Sequence, residues 1–156
     1  MADTKTPDPR KPPVPAKPEA AKPRQSMVVD LGARYAQLLD GGSLVPVEAG
    51  TDFWARFAAQ PALGQGWLVW TLAQARDWAN WEMYPQGDAL FYLLSGAVDF
   101  VLQEGDVERN HSLRPSNACL VPRGIWHRVI VQKPATLLCI TRSVGRQLRP
   151  VEAKRA

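Results

Sequence analysis

Three side chains in the second half of this 156-residue chain have the types and spacing to do chemistry: Glu82, Tyr84 and His127. Glu82 and Tyr84 lie in Trp81-Glu82-Met83-Tyr84-Pro85-Gln86-Gly87-Asp88. In an extended strand residues two apart share a face, so these two point one way and Met83 the other. His127 closes a second run, Pro122-Arg123-Gly124-Ile125-Trp126-His127. A carboxylate, a phenol and an imidazole suffice to abstract and return a proton, because His titrates near neutrality and Tyr donates to a developing oxyanion. Glu82 and His127 are also sound metal ligands, whereas Tyr84 would serve only if a metal pulled down a phenol pKa of about 10.

Short strands must position these groups. The pattern predicts strands near 67–73, 79–84, 89–95, 97–103, 107–113, 117–121, 126–132 and 135–142. Turn residues punctuate them at Pro85-Gln86-Gly87, Ser95-Gly96, Glu104-Gly105-Asp106, Pro115-Ser116-Asn117, Pro122-Arg123-Gly124 and Lys133-Pro134. Many short strands at this spacing imply a sandwich or barrel. Upstream, Leu31, Tyr35, Leu38 and Leu39 have helical spacing between Asp30 and Asp40, with Gly41-Gly42 as a helix stop. Thr51-Asp52 reads as the cap of a second short helix bearing Phe53, Trp54 and Phe57.

The two runs quoted above resemble the two motifs of the cupin superfamily. Pro85 and Gly96 match the framework of the first motif, and Pro122, Gly124 and His127 match the second. The likeness covers about residues 66–143 and implies an all-β fold, a single jelly-roll barrel or double-stranded β-helix. It also implies that Glu82 and Tyr84 face the barrel lumen, with Ala89, Phe91 and Leu93 on the next strand and His127, Val129 and Val131 on a later one. The ligand pocket would then comprise Glu82, Tyr84, Ala89, Phe91, His127 and Val129, with Trp81 facing outward. Cupins bind transition metals through imidazoles and a carboxylate. Here Glu82 and Tyr84 stand at the histidine positions, Ala89 at the glutamate position, and Ser116 where the second motif begins with Gly. Only Glu82 and His127 remain as metal ligands, where three or four are wanted.

Composition sets the remaining expectations. Residues 1–26 hold seven of the fourteen prolines and almost no large apolar residue, the composition of a disordered tail. A segment over 27–65 packs on the barrel, the barrel spans 66–145, and a basic, frayed tail runs over 146–156. Six Lys/Arg against three acids give residues 1–26 a charge of +3, and four against one give 146–156 another +3. The net +4 therefore leaves −2 for residues 27–145, so the high isoelectric point is no argument for nucleic acid. Cys119 and Cys139, in apolar runs, are expected as buried free thiols. The N-terminus has no apolar signal core and no apolar run reaches the ~20 residues that cross a bilayer, which together predict a cytoplasmic protein with no membrane partner. The leading functional expectation is a small-molecule-binding homodimer with a degraded metal site, without a cofactor beyond a weakly held divalent transition metal. An enzyme using Glu82, Tyr84 and His127 as acid–base groups or ligands stays open (an isomerase, lyase or dioxygenase), as does an accessory or regulatory protein.

Overall fold

The computed structural model describes residues 25–152. Two long strands organise it: β5 (Ala89–Glu104) and β8 (Trp126–Thr141), antiparallel from Ala89↔Thr141 to Gln103↔Trp126. Around this spine the chain adds β1 (Arg34–Leu38), β2 (Leu44–Glu48), β3 (Trp67–Gln74), β4 (Asn80–Met83), β6 (Val107–Leu113), β7 (Ala118–Val121) and β9 (Gln147–Pro150). One leaf runs β7, first half of β5, second half of β8, β3, β1, β2; the other runs β6, second half of β5, first half of β8, β4, β9. The sheet curls where the β5–β8 register shifts, between Leu93 and Val98. Gly96 makes that bend: its φ is +86°, and a Cβ there would lie 2.2 Å from the Pro134 carbonyl oxygen.

Alternation along the strands fills the space between the leaves. Ala89, Phe91 and Leu93 from β5 meet Val129, Leu137 and Cys139 from β8, all buried. The Phe91 and Phe100 rings, one from each leaf, lie 4.9 Å apart. Cys119 and Cys139 are free and buried, and burial pushes the Cys119 thiol up to about 11, so it stays protonated and unreactive.

The 30–40 segment corrects the sequence reading. It is not a helix: β1 occupies Arg34–Leu38 and Gly41-Gly42 is the tip of a hairpin to β2, with Gly42 at φ +82°. The physical reason is Gln37. A helix would leave it on a polar face, but in β1 it is buried and its Nε2 donates to the Ala62 and Gln65 carbonyls at 2.8 and 2.7 Å. Tyr35, on the same strand face, sets its ring 4.4 Å from Phe53. The second helix forms as α1 (Phe53–Ala59), but Asp52 makes no side-chain cap bond; its carboxylate takes Arg56 at 3.1 Å. At the other end, a frayed tail from 146 is corrected for Gln147–Pro150, which pair with β4. The proline-rich tail lies outside the described residues except for its last two positions.

Ser116 is the one described non-glycine residue at positive φ, +73°. This is the position where the second motif begins with Gly, and the backbone there keeps a glycine-like conformation, its N–H donating to Leu93 O at 3.0 Å. Relief of left-handed strain exceeds the extra chain entropy of glycine. Ser116→Gly should therefore raise stability by up to about 1 kcal/mol in urea unfolding, and a loss would show that the Ser side chain holds the turn.

Candidate functional site

Two backbone contacts bring the motif runs together. Gly124 N donates to Tyr84 O at 2.8 Å, and Arg123 N donates to the Asp88 carboxylate at 2.9 Å. Asp88 thus pins the second turn to the first, a role its turn context did not announce. Glu82 then falls in register with His127 across β4 and β8.

His127 is fully buried among aromatic rings: Phe91 at 5.4 Å, Tyr84 at 5.5 Å and Trp78 at 6.1 Å. Its Nδ1 lies 3.1 Å from Ile125 O. A carbonyl only accepts, so Nδ1 carries the proton and Nε2 keeps a lone pair. That Nε2 is buried without a partner. Burial lowers the imidazole to about 4, so it is neutral at physiological pH.

Glu82 is 6% exposed. Burial raises its carboxyl above the ordinary range, offset in part by Arg146, whose Nη1 stands 2.8 Å from Oε1. Arg146 and the carboxylate thus form a nearly buried ion pair. Tyr84 lies beneath; burial and the neighbouring Glu82 charge raise its phenol well above 10, so it is a neutral hydroxyl.

Above these groups opens a cleft of about 500 Å³, walled by Tyr35, Trp54, Trp70 and Trp78 with Glu82 and Arg146 among its lining. Trp54 and Trp70 stand 6.1 Å apart, and Tyr35 and Trp70 5.4 Å. Arg146 sits 3.9 Å over the Trp54 ring and also borders a second cleft of about 660 Å³ toward Arg142. Of the six pocket residues named from sequence, Glu82 lines the first cleft, while Tyr84, Ala89, Phe91, His127 and Val129 lie in the packed core. Trp78 separates the two regions, lining the cleft on one side and touching the rings around His127 on the other.

Similar structures include a cupin-2 domain containing protein from Shewanella frigidimarina NCIMB 400, 13% identical over 48% of this chain and 69% of that one, with a TM-score of 0.43. A Neisseria meningitidis protein is 17% identical over 48% of this chain and 72% of that one, TM-score 0.42. A Bacillus subtilis oxalate decarboxylase variant is 14% identical over 55% and 24%, TM-score 0.45. The fold is a curled, antiparallel all-β barrel. No protein-family model and no curated protein matches the sequence.

Among the described residues no three His, Cys, Asp or Glu side chains group closely enough to hold a metal ion. The carboxylate of Glu82 is met by Arg146, and His127 Nε2 is enclosed by rings. Two donors, one of them facing a cation, do not fit a transition metal.

Trp81 does face away from Glu82, yet it is buried there, with the Arg128 and Arg149 guanidiniums 5.2 and 5.4 Å from its ring. Arg149 also lies 4.7 Å from Trp126 and donates to Gln103. The site residues that sequence reading missed are Arg146, Tyr35, Trp54, Trp70 and Trp78. Arg146 carried no signal beyond tail charge, and six tryptophans gave no means of sorting wall from core.

Proposed function

We propose that this cupin binds a small molecule in the aromatic cleft over Glu82 and that its metal centre has decayed. The observation that carries the reading is a nearly buried carboxylate, paired with Arg146 at 2.8 Å, lining an aromatic cleft. A buried ionisable group among the few polar groups of an apolar cleft is a means of fixing a ligand's orientation. The acid–base alternative needs His127 Nε2 at the ligand, and Trp78, Tyr84 and Phe91 stand around it.

A thermal-shift screen of small metabolites tests the reading. A ligand at a hundredfold excess over its Kd should stabilise the native state by about 2.7 kcal/mol. That gain should vanish in Trp78→Ala and persist after exhaustive chelation. Stoichiometric transition metal in natively purified protein, lost in Glu82→Ala or His127→Ala, would sink the decayed-centre reading.

A further inference from the structure

The identity of the group already seated in the cleft narrows the ligand class. The Arg146 guanidinium stacks 3.9 Å over Trp54 and stands 2.8 Å from the Glu82 carboxylate. It arrives from the far end of the chain, one residue before β9, and its side chain is 22% exposed. The turn that delivers it is fixed: Thr141 Oγ1 and Ser143 Oγ share a buried hydrogen bond at 2.8 Å, and Arg146 N donates to Ser143 O at 3.1 Å.

Two features make this place selective for positive charge. Aromatic faces carry negative potential and attract cations, most strongly when water is excluded. The charged groups lining the cleft are Glu82, Asp77 and Arg146, so with Arg146 swung out two carboxylates and no cation remain. A buried carboxylate deprived of its counter-ion is strongly disfavoured, and a ligand cation restores the pairing.

Resting on the small-molecule reading above, we propose that the ligand is a small organic cation, a protonated amine, quaternary ammonium or guanidinium. Arg146 is its internal stand-in: it fills the cation seat between Trp54 and Glu82 until the ligand displaces it. Binding is thus a competition between two cations for one seat, and the fraction of molecules with Arg146 displaced sets the apparent affinity.

The test titrates n-butylguanidinium, n-butyltrimethylammonium, n-butanol and butyrate into the full-length protein, followed by isothermal titration calorimetry and tryptophan fluorescence. Both cations should bind, and the alcohol and the anion should not. Arg146→Gln should tighten the cations by about fivefold or more, since the competitor is gone. Glu82→Gln should weaken them by about tenfold or more, and Trp54→Leu should do the same without touching the carboxylate. Near-ultraviolet circular dichroism confirms that each variant is folded. Weaker cation binding in folded Arg146→Gln would overturn the proposal, as would butyrate or butanol binding equally well. In that case the cleft is still a ligand site and only the charge class fails. If no probe of any charge, and no compound in the metabolite screen, binds folded Arg146→Gln, both readings fall together.

Discussion

On acidification from pH 6.5 to about pH 4 the protein should lose about 3 kcal/mol of stability through His127 alone. The sign follows from where the proton goes. The folded state holds the imidazole neutral down to about 4, while the unfolded chain protonates it near 6.5. Between those values the unfolded state binds the extra proton, so unfolding becomes easier as pH falls; below 4 the loss is complete. Glu82 acts in the opposite sense, because its carboxyl is raised by burial and protonation relieves that burial as pH falls toward 4.5. The contribution of His127 is therefore read as a difference, by urea unfolding of wild type and His127→Leu near pH 7 and near pH 4. Leucine has similar volume and leaves no buried lone pair, so the variant should hold most of its stability at neutral pH and be flatter in acid. Equal acid sensitivity in the two proteins would mean that the imidazole has access to water.

Phe91→Ala should destabilise the protein by about 3–5 kcal/mol. The ring is fully buried at the junction of the leaves, in contact with Phe100, His127 and Trp78. Its removal leaves a void that backbone pinned by two neighbouring strands, at Cys119 and Cys139, cannot close. The void also adjoins the His127 ring. Proton NMR titration should show that imidazole moving up from about 4 toward 6.5 in the variant. A loss below about 1 kcal/mol would contradict a packed lumen.

Period-two alternation carried the barrel, because each lumenal residue from Ala89 to Leu93 and from His127 to Val129 answers to the pleat alone. Alternation could not tell that 89–95 and 97–103 are one strand, since Gly96 reads equally as a turn and as a bend. The helical spacing of Leu31, Tyr35, Leu38 and Leu39 misled because the buried position of β1 is held by polar Gln37 beside Tyr35, so no apolar alternation marks the strand. For the site, resemblance located Glu82 and His127 but not whether the lumen was open. That depended on Trp78 and Tyr84 filling it, which is a matter of side-chain volume rather than of motif. Arg146 was least legible of all, because it reaches Glu82 only through the pairing of β9 with β4.

That pairing gives the last few residues an unusual standing. Strand β4 is four residues long, and the C-terminal segment grips it from both sides, Arg146 at Glu82 and Arg149 at Trp81. Leu148, between them, lines both clefts. Shortening the chain to Gly145 would thus amount to a simultaneous alteration of cleft wall, counter-ion and strand support.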